Sequence, residues 1–165
     1  MNRCVNLNNI KWVCHHLHID KSKTINSYLL NDSLAHMKEK WILMRDVKKK
    51  YTKNSLYNRM YDTTYSLVKQ GCIQMRTFID IDTIVGLDAL HCARDIKAFW
   101  KTQGVDLQIG TQLLEGLETH ESIQLFNTAA PLVDFIGCLP SRDVNPGKHL
   151  DIVFSKAAEL NKDVE

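Results

Sequence analysis

The sequence predicts an α/β fold in which strands alternate with helices, on three observations. Short apolar or β-branched runs recur along the 165 residues. Segments with apolar residues at three- and four-residue steps separate them. From the second run onward the strand starts fall about 30 residues apart, the natural length of a β/α unit. Strands rich on both faces and separated by helices argue for a parallel sheet. Two architectures fit that pattern: a doubly wound open sheet, and part of a (β/α)8 barrel.

The elements follow in order. IKWVCHHLHI (10–19) is the first strand. A helix over 33–51 places Leu34, Met37, Trp41, Met44 and Val47 on one face, and a second over 56–71 does the same with Leu56, Met60, Thr64 and Leu67/Val68 before stopping at Gly71. CIQMRTFIDI (72–81) is the second strand, and the helix 88–104 after it again closes on a glycine. VDLQIG (105–110) is the third strand and residues 119–130 its helix. LVDFIGCL (132–139) is the fourth, and the helix 146–162 opens on Asn145-Pro146, a cap followed by a first-turn proline. Asp163-Val164-Glu165 opens a candidate fifth strand. No GxGxxG follows the first strand and no Walker loop is present, which removes the usual nucleotide fingerprints of the open sheet. A complete barrel needs about 250 residues, so the chain holds roughly the first four β/α units of one.

Composition narrows the function classes. Hydrophobic residues make up 44%, charged residues 24%, and the formal net charge is +2, ordinary values for a soluble globular domain. Basic clusters such as Lys48-Lys49-Lys50 sit beside acidic residues rather than forming a stripe, so no nucleic acid partner is indicated. No apolar run reaches membrane-span length, and MNRCVNLNN lacks the apolar core of a signal peptide. The cysteines at 4, 14, 72, 92 and 138 form no CxxC pair and are odd in number, reading as reduced, buried thiols of a cytoplasmic protein.

The chemistry concentrates in CHHLHID (14–20). On an extended strand His16, His18 and Asp20 point one way, and His15, Leu17 and Ile19 the other. Two imidazoles at i and i+2 can share one ion. At the C-terminal end of a barrel's first strand they would face the catalytic mouth. A histidine-rich strand without metal is the alternative.

VCHHLHIDK resembles the first-strand motif of the amidohydrolase superfamily, written P-x-x-x-x-H-x-H-x-D-K in its cytosine deaminase-like branch, though the proline is absent. GCIQMRTFIDID (71–82) looks like the second-strand segment G-x-x-x-x-R-T-H-V-D-x-D. VDLQI with Glu115-Gly116 looks like the third, VDFIGCLPSRD (133–143) like the fourth, and HLDIVFSKAAELNKDVE (149–165) like the helix into strand five. The resemblance implies a mononuclear metal hydrolase acting on C–N bonds other than peptide bonds, by deamination of a cyclic amidine or a related nitrogenous small molecule. It implies one divalent ion, Zn2+ or Fe2+, held by two strand-one histidines, a strand-five histidine and a strand-eight aspartate. The matching ligands here are His16 and His18, with Asp20 and Lys21 in supporting roles and His15 on the outside of the strand.

Two departures stand out. The histidine of the second-strand segment is Phe78, which keeps only a packing role. Where the cytosine-specific branch has a glutamine before Glu115-Gly116, this chain has Leu114, which argues against cytosine itself. Gln112, two residues earlier on the same strand face, is the candidate substitute. Glu115, Arg142 and Asp143 occupy loops where barrel enzymes place substrate contacts, with surface salt bridges as the alternative. His36, His91, His120 and His149 read as packing or surface residues, Cys92 as packing and Cys138 as a buried thiol.

The expected domain is therefore a single partial barrel over 1–165, without the family's N-terminal β-sandwich and the barrel's second half. The remaining ligand and proton-transfer residues would lie beyond Glu165. Activity would then need the second half, in cis or from another chain; a homo-oligomer that rebuilds a barrel-like shape is one source. The competing reading is a truncated relative with no activity of its own.

Overall fold

The computed structural model describes residues 10–27, 29, 30, 34 and 36–165. Cys4 and positions 33 and 35 of the first expected helix lie outside the described residues. Three strands, β1 (Trp12–Leu17), β2 (Cys72–Asp80) and β3 (Asp106–Gln112), form one parallel sheet in the order β1-β2-β3. Helices α1 (Met37–Lys48) and α2 (Lys53–Lys69) connect β1 to β2, and α3 (Asp88–Thr102) connects β2 to β3. Helices α4 (His120–Ala129) and α5 (Pro146–Leu160) follow. The fold is thus α/β with a parallel sheet whose strands, among the described residues, follow one another in sequence order.

The expected fourth strand is not a continuous strand. A 3-10 turn occupies Ala130–Leu132, and the segment touches its neighbours through single parallel bridges, Gly110 with Phe135 and Ile136 with Val164. Side chains replace part of the ladder: Asp134 Oδ2 accepts from the Ile109 amide at 2.7 Å, and Thr111 Oγ1 donates to the Gly137 carbonyl at 2.9 Å. The bridge at Val164 still sets Glu165 beside Cys138, whose amide donates to the Glu165 carbonyl at 3.0 Å. Sequence order is kept throughout, from β1 to this fifth position.

The main core covers one face of the sheet and the other is polar except where Phe78 meets Phe135, which narrows the expectation of strands rich on both faces. Met75, Ile79, Leu107 and Ile109 are buried against the helices, together with Met60, Leu90, Ile96, Phe126 and Val153. On the opposite face Gln74, Asp106 and Gln108 are exposed and Arg76 is half-buried. The alternation is that of a sheet with helices on one side.

Helix ends follow local chemistry. Thr52 and Thr119 each form a capping box with the serine three residues on, and the Asn145 side chain accepts from the Lys148 amide ahead of Pro146. Gly71 and Gly104 take φ of +95° and +74° just past α2 and α3, where only glycine avoids strain. Helix α1 departs from its pattern: Leu34 and Met37 are exposed, Trp41, Met44 and Val47 half-buried, and the single buried residue is Lys48. No helix among the described residues is long and apolar enough to cross a membrane.

Candidate metal centre

The site begins with an irregularity in β1. Cys14 pairs with Met75 and Leu17 with Thr77, three steps along β1 against two along β2. Such a bulge resets the alternation of faces. Val13 and His15 line a shallow cavity on the helix-free face with Gln74, Arg76 and Gln108, while His16 and His18 line the next one. His15 is therefore not on the outside of the strand; the extra residue brings it to the same face as the pair. Beyond Leu17 the chain turns into a 3-10 turn, Ile19–Lys21, which sets His18 at the C-terminal end of β1. That is where parallel α/β proteins bind ligands.

His16 Nε2 and His18 Nε2 lie 3.2 Å apart. Two nitrogens each about 2.0–2.1 Å from one ion, at that separation, subtend roughly 100°, near the tetrahedral angle. The pair thus fits two corners of a metal site. Among the described residues no group of three His, Cys, Asp or Glu side chains is close enough to hold an ion as placed. The cavity, about 330 Å³, is lined by His16, His18, Phe78, Thr111, Gln112, Cys138, Leu139 and Glu165.

Phe78 is the packing support for both imidazoles. Its ring centroid lies 4.8 Å from that of His16, 5.6 Å from that of His18 in a stacked pose, and 5.2 Å from Phe135 edge-on. Gly137 makes room for it: a Cβ there would run into the Phe78 ring and the Thr111 carbonyl. Gly110 does the same for Phe135.

Burial first, then the nearby Lys21 ammonium, lowers the His18 pKa to about 4. A neutral imidazole is the form a metal needs. The sign for stability follows. Between about pH 6.5 and 4 the unfolded chain takes up a proton at His18 and the folded chain does not, so this contribution is lost as pH falls through that window. The His18 ring-proton resonances are expected to stay flat down to about pH 5 in an NMR titration. A midpoint above 6 would contradict this environment.

Behind the pair stands a buried charge cluster, in which Asp20, Asp80, Asp82 and Lys48 are each 1–2% exposed. Lys48 Nζ donates to Asp80 Oδ2 at 3.1 Å and to Asp82; Lys21 donates to the other Asp80 oxygen; and the Asp80 amide donates to Asp20 Oδ2 at 2.9 Å. Burial raises the Asp20 pKa to about 6 despite Lys21, and Asp20 Oδ1 has no hydrogen-bond partner among the described residues. Burial also pushes against ionised Asp80, but Lys21 and Lys48 outweigh it and hold its carboxyl below the usual range. Asp20 and Lys21 thus support the strand end that carries His18. Lys48, Asp80 and Asp82 complete that support and escaped the sequence reading; the signal was the Asp-Ile-Asp run at 80–82.

The other expected contacts divide. Gln112 lines the histidine cavity. Leu114 lies beyond the end of β3, in a turn and buried, so the two do not share a strand face. Glu115 and Arg142 line a separate cavity of about 280 Å³ with Lys38, Trp41, Ile42 and Arg45. There the Arg142 guanidinium lies 3.8 Å over the Trp41 ring and Arg45 stands 3.7 Å from Glu115. Asp143 is 3% exposed in its side chain, accepts from the Leu117 amide at 2.9 Å and lies 3.0 Å from His149 Nδ1. Cys138 is half-buried on the histidine cavity rather than fully buried, and burial raises its thiol pKa. His36, His91 and His120 are exposed.

Comparison with known proteins bears on the fold. The chain shares its α/β fold with deaminase and aminohydrolase structures, over a stretch just over a third as long as theirs. Among them is 5-methylcytosine deaminase from Klebsiella pneumoniae, solved with phosphonocytosine (TM-score 0.80, 23% identity) and with 5-fluorocytosine (TM-score 0.79, 22% identity), each covering 90% of this chain and 37% of that one. N-isopropylammelide isopropylaminohydrolase from Burkholderia multivorans matches with a TM-score of 0.73 and 21% identity over 92% of this chain and 38% of its own. In sequence, an uncharacterized protein of Haemophilus influenzae is 29% identical over 154 residues, 90% of this chain and 55% of that protein. No family model matches.

Proposed function

We propose that this chain carries the metal-binding face of a hydrolase acting on C–N bonds other than peptide bonds, in a deamination of a cyclic amidine or related nitrogenous small molecule. The observation that carries the reading is the convergence of His16 Nε2 and His18 Nε2, 3.2 Å apart, at the end of β1. The likeness in fold to deaminase and aminohydrolase chains supports it. His16 and His18 would hold Zn2+ or Fe2+. What such an ion supplies when bound is a water acidic enough to give hydroxide near neutral pH. Phe78 keeps the two rings in place and walls one side of the cavity against water, and Gln112 offers a side-chain amide to a ring nitrogen or carbonyl. Glu115 and Arg142 would meet a more distant part of the substrate. Asp143 would act by tying the Leu117 amide to His149 and so fixing the loop that carries Arg142.

A second reading, a chain without catalysis of its own, is favoured by the absence of a third ligand close to the pair among the described residues. On the hydrolase reading the remaining ligands come from further sequence, a second copy or another chain. The two are separated by incubating the chain with Zn2+ or Fe2+ and a panel of cyclic amidines that includes cytosine. Metal-dependent retention of a panel member in equilibrium dialysis is expected, lost in His16→Ala, with no ammonia released from cytosine. A chain that retains neither ion nor panel member contradicts the hydrolase reading. Ammonia release that disappears in His16→Ala contradicts the need for further ligands.

A further inference from the structure

The far side of the His16 ring faces a carboxylate from the opposite end of the strand series. Glu165 Oε1 lies 3.8 Å from His16 Nδ1, while Glu165 Oε2 lies 2.8 Å from Arg76 Nε. The Arg76 contact is an ion pair rather than an aligned hydrogen bond, and the guanidinium is itself fixed 3.8 Å over the Phe135 ring. His16 thus has Nε2 turned toward His18 and Nδ1 turned toward an anchored carboxylate. A histidine that ligates a metal through one nitrogen commonly gives the N–H of the other to a carboxylate, which fixes the tautomer and the ring orientation.

We propose that Glu165, paired with Arg76, positions His16 for metal binding by accepting from its Nδ1–H, which leaves the Nε2 lone pair for the ion. The present 3.8 Å is about 0.8 Å beyond hydrogen-bond length, a gap that a small rotation of either side chain closes. His16 and Glu165 are 62% and 39% exposed in their side chains, so the contact adds little to stability. Its effect falls on the ring instead. Glu165 is a positioning residue, and the inference rests on the reading of His16 and His18 as metal ligands.

The test reads the His16 ring directly. Long-range proton–nitrogen NMR at pH 8 on the full chain is expected to show the Nδ1–H tautomer in the wild type and a mixture in Glu165→Ala. Co2+ affinity, followed by its visible absorption, is expected to fall about 10–100-fold in Glu165→Ala. Glu165→Gln, which keeps an acceptor oxygen, should recover part of that loss, while the thermal midpoint of both variants stays at the wild-type value. An unchanged tautomer in Glu165→Ala, or unchanged Co2+ affinity, overturns the role of Glu165. A wild-type chain that binds no Co2+ yet loses the Nδ1–H tautomer in Glu165→Ala contradicts the metal reading while the positioning contact stands.

Discussion

Lys48→Met is expected to destabilise the fold by about 3–5 kcal/mol, the cost of removing one partner from a buried ion pair. For a chain of this size that is a fall in Tm of roughly 6–20 °C. The ammonium sits between Asp80 and Asp82, all three nearly free of solvent contact. Without it Asp82 keeps the bonds its other oxygen accepts from the Ile84 and Val85 amides but has no cation, and Asp80 has Lys21 alone. Burial works against the Lys48 charge, yet the Asp80 and Asp82 carboxylates outweigh it and leave its pKa raised. A raised lysine pKa contributes stability that is full below the unfolded value and is lost as pH rises through the folded one. The lowered pKa of Asp80 contributes stability above its unfolded value that is lost as pH falls through the folded one. The penalty of Lys48→Met is therefore full between roughly pH 4 and 10 and narrows on either side. Thermal melts at pH 3.5 and 7 check this, with Lys49→Met, an exposed neighbour, as a control that leaves the midpoint in place. A Lys48→Met midpoint equal to wild type at pH 7 would show that the cluster does not anchor α1.

Phe78→Ala is expected to cost about 3 kcal/mol, the low end for deletion of a buried phenyl ring, because the vacated space opens onto the histidine cavity. The ring lies against His16, His18 and Phe135 at once, so the truncation also releases both imidazoles. Metal affinity should drop about tenfold or more in Phe78→Ala. Phe78→Leu, which refills most of the volume, should recover stability better than affinity, since an aliphatic side chain offers no flat face to His18. Equal recovery of both would mean that Phe78 fills space and does not orient the pair.

How far the sequence foretold this arrangement depends on where each cause lies. β2 and β3 were legible as short apolar and β-branched runs, CIQMRTFIDI and VDLQIG, set between helical segments. The breaks after α2 and α3 were legible because Gly71 and Gly104 are backbone signals. The segment 132–139 reads as a strand, yet its pairing is carried partly by the Asp134 carboxylate and the Thr111 hydroxyl, and no periodicity records side chains that stand in for ladder bonds. The burial of Lys48 was not legible, because lysines are seldom buried without a partner and its partners lie 32 and 34 residues away, at and just beyond the end of β2. That His16 and His18 share a face was legible from their spacing of two on a strand, whereas their reading as ligands drew on the place of that strand in the series and on the motif around it. The placing of His15 beside them was not legible, because a bulge is a property of the strand pair and not of either strand. Gln112 lines the histidine cavity, whereas Glu115 and Arg142 line a separate one, and Leu114 leaves the strand because the chain turns away after Gln112.

The central claim, that His16 and His18 together hold a divalent ion, is tested most directly by equilibrium dialysis of the purified chain against Zn2+, with metal content measured by mass spectrometry. The account predicts Zn2+ retained in a one-to-one ratio by the wild type and lost when both histidines are replaced by alanine. No retention by the wild type, or equal retention by the double variant, would contradict it.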